Sequence, residues 1–476
     1  MYIDNYNWKP HFKNKLFESC KKILNINNCQ FYYPVYNLFF NIKNNKKSKN
    51  IDMKRNIMIN KINNIKDNND NYNSNLIVNA NCYDIKKRNK INKDIFIKQI
   101  SILDISHIFL NNYNIFNKNK ELLPSKYNYI TTNKINDIDN SCYIDCFFSL
   151  LVGNIQSKNK LPCFPEYYGC INGIGDYYKD ITEDIEEYQD FPGFDKGIGK
   201  IFDLNIYTSD KDKYLDQGTP KSEISNFSES TNSSILSQDD HIVKFKNLPI
   251  ILLFLEKLDG TLEEFLNSQN YNINILLSCL FQISFGLSYL QKQFKFVHND
   301  LHINNVMYLN TDIEFLYYKF NDIYYKIPTY GKIFKIIDFG RCIFTFKNRL
   351  YMNDSFSNHG EADEQFDLNK KYIPNYSFDL CRLSTTIIDE LNEFLDIKEI
   401  LSKNTNESKF IKLLFHIMSD KDGNLIYDGS EISFQLYIDI TNKSVNGNPN
   451  YILSNDIFDI YKIKEIDNIK KIYTLN

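Results

Sequence analysis

The chain has 476 residues, a net charge of −3, 43% hydrophobic residues and 15% aromatics. That is enough apolar material for two or three domains, or one large two-lobed one, and it excludes a chain disordered throughout. A near-neutral balance gives no global pull toward nucleic acid or acidic substrates.

Unbroken apolar runs of about 18 residues are missing, so no transmembrane segment is expected. The start, Met1-Tyr2-Ile3-Asp4-Asn5, is polar and acidic, so a signal peptide and secretion are not expected. Ten cysteines occur without a CxxC pair, which fits reduced, mostly buried thiols in a cytoplasmic protein. The wealth of Asn, Ile, Lys and Tyr reflects an AT-rich genome rather than a function.

In chain order, residues 1–74 read as an N-terminal extension with a low-complexity Asn/Lys-rich stretch. Within 41–66 there are eight basic residues against one acid, Asp52. This is a solvated insert or, on a sharper reading, an anionic-surface or nucleic-acid patch; a nucleic-acid partner is not the expected outcome. "DIFIKQISIL" (94–103) alternates as a strand, with Ile95, Ile97 and Gln99 on one face and Phe96, Lys98 and Ile100 on the other. "CYIDCFFSLLVGNI" (142–155) reads as a helix. Residues 207–240 form a Ser/Asp/Thr-rich tract, expected as a disordered loop inside a domain. "LPIILLFLEKL" (248–258) is apolar on both faces, as a central strand would be, and "DGTLEEFL" adds a turn, a Thr cap and two acids in a first helical turn. "INILLSCLFQISFGLSYLQKQ" (273–293) is apolar almost all round, the pattern of a buried helix.

Next comes "HNDLHINNVM" (298–307), with two histidines, an aspartate and three asparagines between apolar flanks. Buried polar groups are costly unless they are paired or bind something, so this is a self-satisfied turn or a site. "IFKIIDFGRCIF" (333–344) reads as an apolar strand interrupted by Asp338 and Gly340. "NYSFDLCRLSTTIIDELNEFL" (375–395) reads as a helix with Asp379 near its start.

"HNDLHINN", followed 33 residues later by "DFG", resembles the protein-kinase pattern H-R-D-L-x-x-x-x-N…D-F-G. The resemblance implies an α+β, two-lobed protein-kinase-like fold: a small mostly-β N-lobe over 75–255, then the hinge and a larger helical C-lobe over 256–476. It implies Asp300 as the group that orients the acceptor hydroxyl and takes its proton. Asp338 and Asn305 become ligands of Mg2+, and ATP the phosphate donor. His302 stands where most protein kinases carry a lysine that touches the transferring phosphate. Leu255 takes the gatekeeper position, and the backbone of Glu256 to Leu258 would pair with adenine. Lys98 in "IFIKQI" resembles the strand lysine of the family, with Asp145 as its acidic partner 47 residues on, which requires an insertion at 104–140. Asp379 resembles the aspartate that bonds the catalytic loop's backbone.

Three departures stand out. No G-x-G-x-x-G occurs before residue 100, Asn299 replaces the arginine that reads a phosphorylated activation loop, and "IPNYS" holds the place of "APE". The wider pattern is similar to divergent serine/threonine kinases of giant nucleocytoplasmic DNA viruses over roughly residues 90–390. The expectation is a monomeric, ATP- and Mg-dependent serine/threonine protein kinase acting on a protein substrate in the host cytoplasm or virion. A small-molecule kinase of the H-x-D-L-H-x-x-N type and a pseudokinase binding module are the alternatives.

Overall fold

The computed structural model describes residues 10–32, 34–35, 56–66, 74–113, 122–125, 132–158, 160–207, 240–268, 272–356, 373–429, 434–464 and 471–475. Most of the basic stretch 41–66 and nearly all of the 207–240 tract lie outside the described residues. The chain divides into two compact units, Met1–Ile138 with Tyr168–Lys257 and Asp139–Tyr167 with Leu258–Asn476. The first is mostly β and the second mostly helical, so the chain is α+β.

The β unit is built on a seven-stranded sheet in the order β1(Asn27–Gln30)-β5(Tyr167–Asp180)-β7(Asp240–Glu256)-β4(Asn89–Ser101)-β3(Leu76–Asp84)-β2(Ile57–Ile65), with β6(Phe202–Tyr207) pairing the first half of β7. Burial sets the strand roles. In β4, Ile95 and Ile97 are fully buried while Phe96 and Lys98 on the opposite face are half-buried, the alternation seen in the sequence. In β7, every residue from Leu248 to Leu255 is buried, as a central strand flanked on both edges must be. The strand begins earlier than its apolar run because β6 pairs it from Asp240.

Residues 57–65, inside the stretch expected as an extension, are a strand antiparallel to β3. Helix α1 (Pro10–Leu24) packs on that strand, and the buried Ser19 hydroxyl ties the two: it donates to Leu16 O at 2.8 Å and accepts from Ile62 N at 3.0 Å. The connection from β2 to β3 contains no glycine.

The second unit centres on α4 (Ile273–Phe294), following α2 (Ser141–Ser157) and the one-and-a-half-turn α3 (Leu262–Asn267). Helix α3 starts in a capping box: Thr261 Oγ1 accepts from Glu264 N and Glu264 Oε2 from Thr261 N, both at 3.0 Å. Helix α4 is long and apolar enough to cross a membrane by composition, yet most of it is buried inside the unit. Its apolar surface packs against the short helix Pro449–Leu453, α6 (Asn406–Ile417), the first strand of the small sheet β12(Lys332–Ile336)-β9(Val306–Asn310)-β8(Gly260–Thr261) and β11(Ile323–Pro328) of a four-stranded sheet that also contains β10(Phe315–Phe320), while α5 (Phe378–Asn392) lies in the same unit. The last described helix used below is α7 (Phe434–Lys443).

Two expectations change here. The 333–344 run is not one strand: β12 stops at Ile336, the chain turns through Asp338 at φ +60°, and a new strand starts at Phe344. Helix α2 falls in the span assigned to the N-lobe, but it groups with the second unit, because Phe148 packs against Phe296, Phe339 and Phe344 at ring distances of 4.6–5.1 Å.

Candidate active site

Helix α4 ends at Lys295 in the left-handed region, φ +50°, which turns the chain back along the helix. Val297 then pairs with Ile343 through two backbone hydrogen bonds of 2.9 Å, so the loop and the segment after Gly340 start side by side. His298 and Asn299 are 0% and 1% exposed, and α5 supplies what their backbones need. Asp379 accepts from His298 N at 3.0 Å on both oxygens and from Asn299 N at 3.1 Å. Thr386 Oγ1, two turns further on, accepts from Ile303 N at 3.3 Å. Burial pushes the Asp379 carboxyl up to about 6, against the pull of His298 and the two N–H donors.

The side chains of the loop bond one another. Asn305 Nδ2 donates to Asp300 O at 2.8 Å and lies 2.9 Å from His302 Nε2. Both amide hydrogens are then used, with Nε2 as acceptor and the imidazole proton on Nδ1. The 3.4 Å approach of Asn304 N to that same Nδ1 is consequently a close contact rather than a hydrogen bond. Burial, with Arg382 and His298 adding, lowers the basicity of His302 against the opposing pull of Asp300 and Asp338, so the ring stays neutral and able to accept. The amide oxygen Oδ1 is the Asn305 atom left to bind something else.

Asp338 is fixed from both sides. Ile337 N donates to Asn305 O at 3.0 Å and His298 Nε2 to Ile337 O at 2.8 Å, which ties the Asp338 strand end to the loop. Beyond it, Phe339 N donates to Asp145 Oδ1 at 3.3 Å and Gly340 N to Asp338 Oδ1 at 3.3 Å. The Phe339 ring packs on Phe148 and His298, at 5.1 and 5.7 Å. A left-handed aspartate between two such anchors is a strained conformation that the surroundings hold in place. The segment that follows is tied by neutral amides: Asn299 Nδ2 donates to Arg341 O at 3.1 Å and Asn353 Nδ2 to Gly340 O at 2.7 Å. Arg349 pairs with Asp139 at 3.1 Å.

The second unit thus brings Asp300, His302, Asn305 and Asp338 together. Asp145, 2% exposed in α2, belongs to that unit too and holds Ser149 Oγ at 3.2 Å besides Phe339 N. Lys98 and Glu256 belong to the β unit, and Leu258 begins the second one. Lys98 stands opposite Leu253 in the β4–β7 ladder and lines a cavity of about 700 Å³ with Tyr177, Tyr178 and Lys179. Glu256, opposite Ile95, is the last residue of β7. Residues that sequence reasoning missed are Tyr437, Arg382 and Asn353; Tyr437 and Asn353 act from segments with no motif of their own, and Arg382 lies one turn after Asp379.

Residues 209–359, about a third of the chain, match the family model of the protein tyrosine and serine/threonine kinases. A probable serine/threonine-protein kinase of Dictyostelium discoideum is 37% identical over 79 residues, 16% of this chain and 6% of that protein. The chain therefore matches only a small part of that relative's length. Among solved structures, the ROP18 kinase domain in complex with AMP-PNP and sucrose is similar with a TM-score of 0.31 and 11% identity, over 85% of this chain and 83% of the other. The matched family region holds both the 298–305 loop and the Asp338 turn, and that region is similar to the protein kinases.

Proposed function

We propose that this protein is an ATP- and Mg-dependent protein kinase that phosphorylates serine or threonine. The observation that carries the reading is the bonded cluster of Asp300, Asn305 and Asp338. One carboxylate stands where it can take a proton, and two hard oxygen donors lie on backbone segments joined by the Ile337–Asn305 hydrogen bond. Magnesium suits such a set, since it takes one or two protein oxygens and completes its shell with water and phosphate. Among the described residues no trio of His, Cys, Asp or Glu is placed to hold a metal alone, which fits an ion brought with a nucleotide. When bound, the ion neutralises charge on the transferring phosphate.

The chain's own residues then do the following. Asp300 orients the acceptor hydroxyl and takes its proton as the new oxygen–phosphorus bond forms, while the bond to the bridging oxygen of ATP breaks and ADP leaves. His302 keeps the Asn305 amide turned with Oδ1 outward. By the resemblance, Lys98 is assigned to the phosphates with Asp145 as its acidic partner, and the backbone of Glu256 to Leu258 to adenine. The acceptor is assigned as serine or threonine because the Dictyostelium relative is named so. The sequence pattern favours a giant-virus origin, with the host cytoplasm or the virion as its place of action.

Incubating the purified chain with radiolabelled Mg-ATP and, separately, protein, lipid and sugar acceptors tests the proposal. Label on serine or threonine of protein is expected. Label on lipid or sugar alone would establish a small-molecule kinase, and no label a binding module.

A further inference from the structure

We infer that Tyr437, on α7 and 137 residues from the loop it touches, is a positioning residue that sets the orientation of the Asp300 carboxylate, with Arg382 holding the tyrosine in turn. This rests on the kinase reading above and adds a residue that no motif carries.

The geometry is direct. Tyr437 Oη donates to Asp300 Oδ1 at 3.0 Å. Among the described residues Asp300 Oδ2 has no hydrogen bond, so one oxygen is anchored and the other is left for an acceptor hydroxyl. The backbone of the same residue is fixed independently: Asn305 Nδ2 holds its carbonyl at 2.8 Å, and Asp379 holds the two preceding N–H groups. Those bonds place Cα but leave the side chain free to rotate about its own torsions, whose terminal one is broad. A carboxylate on a fixed backbone still needs a side-chain contact to present one chosen oxygen.

Tyr437 is itself supported. The Arg382 guanidinium lies over its ring at 5.2 Å, and Arg382 Nη2 approaches its hydroxyl oxygen at 3.4 Å. Arg382, 5% exposed, is locked by Nη1 donating to Thr385 Oγ1 at 3.0 Å, and Phe378 flanks the phenol ring at 6.3 Å. Arg382 and Phe378 both sit on α5, the helix that carries Asp379. One helix therefore fixes the loop's backbone through Asp379 and its reactive side chain through Arg382 and Tyr437. Burial first, and the neighbouring Asp300 second, raise the Tyr437 phenol above its ordinary range, so the hydroxyl keeps its proton and donates.

A hydroxyl bonded to the proton acceptor of a kinase has two other readings: a self-block standing where the acceptor should be, or a residue that is itself phosphorylated. The bond to only one oxygen, and the phenol's clamping between Phe378 and Arg382, favour positioning.

The test is a double-mutant cycle on the full chain, with radiolabelled Mg-ATP and dephosphorylated casein. Tyr437→Phe is expected to lower kcat about five- to fiftyfold, a misaligned base being costly, while KM for ATP stays within about twofold and the melting temperature is unchanged. In an Asp300→Asn background the same replacement is expected to cost nothing further, because it acts only through Asp300. An equal further loss in that background would show a structural role and overturn the inference. So would a rise in casein labelling by Tyr437→Phe, which marks a self-block, or label recovered on Tyr437 itself. An active parent with an unchanged Tyr437→Phe variant would overturn this inference alone. An inactive parent would overturn the kinase reading and this inference together.

Discussion

The two units carry their chemistry in different ways. In the helical unit, Asp300, Asn305 and Asp338 lie within or beside 40 residues of one another and are held by side chains whose identity the chemistry demands. In the β unit, the expected contributions are one lysine, Lys98, and backbone groups at the end of β7. Proton transfer and metal ligation require particular atoms, whereas covering a phosphate or pairing with adenine requires backbone N–H and C=O groups that any residue supplies. The first kind of site survives as a motif; the second survives as strand register.

Changes in the helical unit should therefore have the largest effects. Asp338→Asn removes the charge that magnesium needs, and magnesium-dependent nucleotide binding and transfer should vanish by isothermal titration and radiolabel assay while circular dichroism stays the same. Retained transfer would dissolve the contrast between the units. Asp300→Asn should leave ATP affinity near the parent's and lower turnover by about two to four orders of magnitude, the usual worth of a positioned base.

The β unit is probed by its register. Lys98→Met should lower transfer at least tenfold, about 1.4 kcal/mol in the barrier, whereas Lys179→Met, on the same cavity, should change little. A loss at Lys179 with none at Lys98 would break the assignment that the β4–β7 ladder supports.

Removing the anchor under the loop should cost stability rather than chemistry directly. Asp379→Ala leaves the buried N–H groups of His298 and Asn299 unpaired, at about 1–3 kcal/mol each in urea unfolding. Asp379 also ties stability to pH. Its carboxyl holds a proton up to about 6 in the fold but only to its ordinary 3.8 in the unfolded chain. The native state thus binds more protons between those values, and the contribution is full below 3.8 and lost as pH rises through 6. Asp379→Asn should flatten that part of the stability profile.

The smallest effect concerns activation. Asn299 holds Arg341 O, and Asn353 holds Gly340 O, without any phosphate. Phosphatase treatment and Ser355→Ala should change activity by less than tenfold; a larger fall would show that a cation elsewhere reads this segment.

Much of this was visible in the chain itself. The 298–305 loop, the place of Asp338 after it and the Asp379 helix start were legible because each pairs a demanded residue type with a fixed spacing or an apolar flank. The buried helix read over 273–293 and the apolar part of β7 were legible from their nearly unbroken apolar character. Strand ends were less so: β7 reaches back to Asp240 only because β6 lies beside it, and the 333–344 run breaks because Asp338 adopts φ +60°.

What the sequence by itself determined is the set of atoms proposed to react and their order along the chain, since a carboxylate or amide oxygen has no substitute in the proposed chemistry. Only the tertiary structure decided how those atoms are held. Asp145 bonds Phe339 N across 194 residues, and Tyr437 reaches Asp300 across 137. Contacts at such separations leave no local spacing to read, because the pairing is made by the packing of helices and not by the chain between them.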